Sequence, residues 1–432
     1  MFLPHRLRFA RRRSRTLHSL INPSSAPARL YRLRRAALGG TKMGALRMGA
    51  VPMSLLSEQP SFTLGVEEEY LLVDAETLEL SVDPPDGFMP ACQEQVTGQV
   101  VNELMRAQVE TATKVCGSVA EVRRELTRQR REINAVAEQF GMRIIAASTH
   151  PSALWRDQKQ TPSQRYVTLQ EEMQATARRM LICGMHVHVG IEDKDLRVDL
   201  MNQFRYFLPH LLALSVSSPF WEGDDTGLNS FRLTIFSGLP RTGFPEEFSS
   251  WSDYQRHIDT LVRARVIEDA SMIWWDVRPS ARFPTLETRI FDLCTFAEDT
   301  VCLTAFCVCL IRMLWRLRIS NSRWRSYNLL LLEENRWRSM RYGATDRLLD
   351  FGKGSMAPFG ELVDELIAMV RQDAEYFDCM AEIEHARAIL ERGTSASLQL
   401  AAYRKAREAG ASEQEALREV VRFLVDATVK GL

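Results

Sequence analysis

The chain has no CxxC pair, no HExxH and neither GxxxxGKS nor GxxxxGKT. The first two absences leave zinc a weak candidate, and the third excludes a P-loop nucleotide site. Its eight cysteines form no regular framework, and several sit in apolar, helix-like surroundings. That usage predicts buried thiols in a reducing cytoplasmic compartment rather than disulfides. No apolar run is long enough to span a membrane. The longest, Val301–Ile311, gives way to Arg312, Arg316 and Arg318 and reads as a buried helix. No internal repeat and no secretory signal with a clear cleavage site is visible. Acidic residues are missing from positions 1–57, which hold twelve Lys or Arg. Such a stretch reads as a basic, disordered leader or an upstream extension, with a transit peptide or a nucleic-acid tail as alternatives. The twelve leave 43 basic residues against all 55 acidic ones in the remainder. That acidic body argues against nucleic acid as a partner.

What is present is ordinary globular material, 45% hydrophobic and 25% charged, enough for a large core. Residues 58–432 read as one domain. Strand-like patterns fall at 62–73 and 142–147, and helix-like ones at 119–140, 163–181 and 196–216. Ser118 with Glu121, and Ser412 with Glu415, have the spacing of capping boxes. Residues 79–90 and 219–230 read as loops. From 298 the pattern is mostly helical, with breaks near 352–358, 393–395 and 410–411. Strands before 295 and helices after it indicate an α+β fold.

Several strand-like segments share one design. In GVEEEY, 65–70, Glu67 and Glu69 fall on one face, with Leu64, Val66, Tyr70 and Leu72 on the other. Two adjacent carboxylates suit a hard divalent cation such as Mg²⁺ or Mn²⁺; a solvated edge strand is the plainer alternative. In CGMHVHVGI, 183–191, His186 and His188 share the polar face with Gly184 and Gly190. They are either surface histidines or a site where a ligand approaches the backbone. In PTLETRIFD, 284–292, Glu287 and Arg289 share a face, as an ion pair or as a metal ligand beside a phosphate-gripping fork. Arg278 and Arg282 add positive charge nearby. FRLTIF, 231–236, read as a strand, offers Arg232 for a substrate carboxylate or simply exposes it. Glu103 and Glu110 are seven apart, which in a helix gives one face; either acid also fits a plain surface. Acids, imidazoles and arginines on the open face of one sheet fit metal ions bridging polyphosphate oxygens better than they fit solubility.

GVEEEY, GMHVH and LETR, in this order, resemble the glutamine-synthetase-like carboxylate–amine ligases. FTLGVEEEYLLVD, SPFWEGDDTGLNSFR and WWDVRP with LETRIFD most resemble the type 2 glutamate–cysteine ligases, from residue 62 to the C terminus. The resemblance implies a curved, mainly antiparallel sheet with helices on its outer side, and ATP with two or three Mg²⁺ or Mn²⁺ on the concave face. It implies metal binding by Glu67, Glu69, Glu103, Glu110, His186 and Glu287, nucleotide contact by His188, phosphate binding by Arg289 and a place near substrate or phosphate for Arg232. It further implies glutamate and an amine such as cysteine as substrates, an acyl-phosphate intermediate, and a homodimer. A ligase for another amine, a guanidino kinase on the same scaffold and a non-catalytic nucleotide sensor are the rival readings.

Overall fold

A computed structural model describes residues 59–432. The leader expected at 1–57 lies outside them. The centre is strand β1, Leu64–Asp74, whose first seven residues alternate strictly. Leu64, Val66, Glu68 and Tyr70 are buried, while Gly65, Glu67 and Glu69 are half-buried. Six further strands join it: β2 (Gln99–Asn102), β3 (Gln108–Ala112), β4 (Met142–Ile145), β5 (Met185–Gly190), β6 (Val277–Pro279) and β7 (Thr285–Thr288). The order is β6–β7–β5–β1–β3–β2, with β4 on the C-terminal half of β1, and every pairing is antiparallel.

Helices α1 (Val119–Gln139) and α2 (Ala297–Ile319) pack against the back of β1. In α1 the apolar stripe Val119, Val122, Leu126 and Ile133 is buried. Ser118 caps it by accepting from the Glu121 amide at 3.2 Å. The Glu121 carboxylate accepts from the Gly117 amide at 2.9 Å, one residue before the position a reciprocal box requires. The box at Ser412 and Glu415 closes fully. Helix α2 extends beyond the apolar run Val301–Ile311 and, contrary to the expectation from that run, is by length and composition long and apolar enough to cross a membrane, but 89% of its apolar window is buried inside the fold. It is the core helix that its sequence predicts.

Four expectations differ from the structure. Residues 231–236 form a short helix, Arg232–Phe236, started by the Ser218 hydroxyl, which accepts from the Arg232 amide at 3.1 Å. Six residues alternating apolar and polar satisfy a helical turn as well as a strand. Glu103 and Glu110 lie on a hairpin, not a helix: Glu110 is in β3 and Glu103 follows β2. A helix, Phe88–Gln95, begins inside the expected loop 79–90. The helix expected at 163–181 breaks at Gln174, φ +49°, into Gln164–Met173 and Ala175–Arg178.

Candidate active site

Strand pairing assembles the polar face. In the register, Glu67 stands opposite His186, Glu69 opposite Glu110, and His188 opposite Glu287. Side chains directly across a sheet are close neighbours, so residues distant in sequence meet in pairs. Two groups result. Glu67, His188 and Glu287 bring one ligand atom each within 4.8 Å of one another, and so do Glu69, Glu103 and Glu110. His186 lies between them. Its Nδ1 is 2.9 Å from Glu67 Oε2, and its Nε2 is 4.0 Å from Glu69 Oε1.

The electrostatics of the two groups differ. Burial acts to raise Glu67, but the His186 hydrogen bond and the imidazole of His188 close by outweigh it and hold the carboxyl far below the usual range. Burial also acts to raise Glu287, and the guanidiniums of Arg289 and Arg278 more than reverse it. Arg278, directly across the ladder from Glu287, grips it with Nε to Oε2 at 2.9 Å and Nη2 to Oε1 at 3.1 Å, while Arg289 pairs with the same carboxylate. In the second group, burial and the charge of Glu103 push Glu69 up to about 8. Burial and its acidic neighbours raise Glu110 well above its ordinary value. Among the described residues, no Lys or Arg pairs with Glu69, Glu103 or Glu110 within salt-bridge distance.

This donor set fits a divalent cation. Five carboxylates offer hard oxygens, three of them crowded without a basic partner. The Nε2 atoms of His186 and His188 are buried without hydrogen-bond partners among the described residues. Nδ1 of His188 lies 2.8 Å from the Thr285 hydroxyl, which orients the ring and turns Nε2 toward Glu67, 3.4 Å away. Burial and the Arg289 charge lower His186 to about 4, so this imidazole is neutral at neutral pH and able to lend a lone pair. Geometry therefore sets His188, expected at the nucleotide, with Glu67 and Glu287, and sets His186 between the groups.

Both arginines keep donors free for an anion. Arg289 Nε is buried without a partner among the described residues. Arg232 is also buried and, among the described residues, its Nε is unpartnered and its terminal nitrogens hydrogen-bond only to the Arg289 carbonyl at 3.5 Å. Gly184 makes room for it, since a Cβ there would stand 2.3 Å from Arg232 Nη2. The Gly184 amide also donates to Glu69 Oε2 at 2.5 Å. Asp292 organises this corner, accepting from the Ser217 amide at 2.9 Å and from the Ser218 and Ser230 hydroxyls at 2.7 and 2.8 Å. Sequence reasoning missed Thr285 and Asp292 and saw Arg278 only as nearby charge. The parity of Thr285 with Glu287 was the one available signal; Asp292 carried none. All nine residues singled out from the sequence converge on this corner of the fold.

The chain matches the family model described as "Glutamate-cysteine ligase family 2(GCS2)" over residues 63–426. It is 54% identical to a Rhodospirillum rubrum protein named "Putative glutamate--cysteine ligase 2", covering 87% of this chain and 97% of that one. A Paracoccus denitrificans protein of the same name is 50% identical, covering 86% and 98%. Among solved structures, a bifunctional glutathione synthetase from Pasteurella multocida aligns with a TM-score of 0.61 at 16% identity, covering 87% of this chain and 53% of that one. A glutamate–cysteine ligase from Francisella tularensis in complex with AMP aligns at 0.57 and 12% identity, covering 85% and 89%. These two likenesses establish the fold; the sequence match establishes more. The chain belongs to glutamate–cysteine ligase family 2, and it is an ATP-dependent carboxylate–amine ligase.

Proposed function

We propose that the polar sheet face joins glutamate to an amine, cysteine by the name its relatives carry, at the expense of ATP. The observation that carries this reading is the meeting of two carboxylate-rich groups with two under-partnered arginines on one sheet face. Glu67, His188 and Glu287 would hold one divalent cation, Mg²⁺ or Mn²⁺, and Glu69, Glu103 and Glu110 another, with His186 Nε2 available between them. When bound, these cations supply the charge neutralisation that lets a carboxylate approach a triphosphate.

A glutamate side-chain carboxylate attacks the γ-phosphorus in line, forming a C(O)O–P bond as the bond to ADP breaks. Arg289, with free donors beside Glu287, neutralises charge on the transferring phosphoryl oxygens. Arg232 holds the carboxylate end or the phosphoryl group. The amine nitrogen then attacks the acyl carbon, the amide forms, inorganic phosphate leaves and the amine proton is released. No protein nucleophile takes part. The proposal keeps the enzyme in the cytoplasm as a homodimer, with no nucleic-acid or membrane partner. Eight cysteines, all buried, suit a reducing compartment, and sedimentation velocity tests the dimer.

The deciding experiment incubates the protein with Mg-ATP, glutamate and a panel of amines, and reads phosphate release together with product mass. γ-Glutamylcysteine is the expected product. A different γ-glutamyl amide reassigns the amine. A phosphorylated guanidine, or Mg-ATP binding with no phosphate released by any amine, overturns the proposal.

A further inference from the structure

Glu68 stands between the two site acids of β1 and points the opposite way. Its carboxylate is fully buried behind the sheet, and so is the side chain of Arg130 from α1. Arg130 grips it at two points, Nε to Oε2 at 2.9 Å and Nη2 to Oε1 at 2.5 Å. The Tyr70 hydroxyl donates to Oε2 at 2.5 Å, and the Thr300 hydroxyl of α2 donates to Oε1 at 2.8 Å. The same guanidinium reaches a third segment. It donates to the carbonyls of Cys294 and Thr295 at 2.8 and 2.7 Å. Those carbonyls end the stretch of chain that begins at β7 and carries Glu287, Arg289 and Asp292. In the sheet, β5 lies between β7 and β1. One side chain therefore ties β1, from behind, to the segment that continues from β7, the histidine strand's other neighbour.

Stability is a weak reason for this arrangement. Desolvating both charges offsets most of their attraction, and a buried ion pair can often be exchanged for apolar residues of similar volume without loss. What the pair has and an apolar contact lacks is direction. A planar fork on a carboxylate, with its remaining donors on two fixed carbonyls, admits little sliding. The front face needs that precision, because its ligand atoms lie within 4.8 Å of one another and contribute from β1 and β7 together.

We infer that Glu68 and Arg130 form a positioning pair. It sets the spacing of Glu67 and Glu69 against Glu287 and Arg289, and through that spacing the affinity of the front face for divalent cations. The inference rests on the reading that this face takes Mg-ATP. Neither residue touches substrate or cation.

The test exchanges the pair for an apolar one, Glu68→Leu with Arg130→Met, and measures Mn²⁺ binding by electron paramagnetic resonance without nucleotide, alongside melting temperature. The expected result is a melting temperature near that of the parent with Mn²⁺ affinity about tenfold weaker or worse, and a raised KM for Mg-ATP. A folded double variant with parental Mn²⁺ affinity and KM overturns the inference. Should the double exchange not fold, Arg130→Lys keeps the charge and removes the fork, and Tyr70→Phe removes one bond to Glu68. Both are expected to weaken Mn²⁺ binding, Arg130→Lys more, and parental Mn²⁺ binding in both overturns the inference. A parent protein that binds Mn²⁺ yet forms no amide sinks the ligase reading alone, because the Mn²⁺ titration still decides the brace. A parent that binds no Mn²⁺ sinks both.

Discussion

Glu67, Glu68 and Glu69 are consecutive on one strand, yet they meet opposite fates. Behind the sheet, Glu68 is buried completely and satisfied completely: the Arg130 charge and bonds, with those of Tyr70 and Thr300, overcome burial and keep its carboxyl below the ordinary value. In front, burial and then the charge of Glu103 push Glu69 up to about 8, and the charges of Arg232 and Arg289 offset only part of that. Glu67 is held ionised by two imidazoles whose own Nε2 atoms lack partners among the described residues. The fold thus closes its electrostatics on one face and leaves them open on the other. A carboxylate with every bond made serves structure, whereas crowded acids beside unpartnered donors await ligands.

The contrast can be broken from either side. The largest effect is expected at the front. Glu67→Gln should lower ATP turnover by about 100-fold or more, read by phosphate release, with an unchanged circular dichroism spectrum. Glu287→Gln should do the same and also melt earlier, because it weakens the hold on Arg278 and Arg289. Next in size is the back. Arg130→Met by itself strands a buried carboxylate and should cost about 3–5 kcal/mol, measured as a lower denaturant midpoint.

A smaller effect follows from titration. Folded Glu69 keeps its proton up to about 8, while the unfolded chain releases it near the ordinary 4.5. Unfolding therefore releases a proton between those values, so rising pH favours the unfolded state. In buffer free of divalent cations, the share of stability that Glu69 supplies, read as the parent minus Glu69→Gln difference, should be fullest near pH 4.5 and decline toward pH 8. Saturating Mn²⁺ should flatten that decline. A pH slope equal in the parent and in Glu69→Gln would reject the assignment. The smallest effect is the control: Arg387→Ala releases only exposed pairs with Asp364 and Glu384. It should leave melting temperature and turnover within error of the parent.

Much of the front face was readable because parity is local. Alternation in 64–70, 183–191 and 284–289 separates the acids, imidazoles and Arg289 from the apolar side, whatever the partner strands. Capping at Ser118 and Ser412 was readable for the same reason, since it involves residues three apart. Glu103 and Glu110 reached the right cluster from the wrong element. The turn between β2 and β3, residues 103–107, contains no Gly, Pro or Asn to mark it, so seven residues looked like two helical turns. Arg232 likewise reached the site from a helix rather than a strand. Parity kept Glu68 off the metal face, but nothing local names Arg130, 62 residues away, as its partner.

The sequence by itself determined which side chains share a face, where the principal helices begin, and that the long apolar segment is a core helix. Those follow from a period of two or 3.6 residues and from caps a few residues long. Only the tertiary structure decided that Glu69 faces Glu110, that His188 rather than His186 joins Glu67 and Glu287, and that one arginine ties β1 to the segment after β7. Those depend on strand register and on contacts across dozens to hundreds of residues, which arise when the sheet and its helices close on a common core.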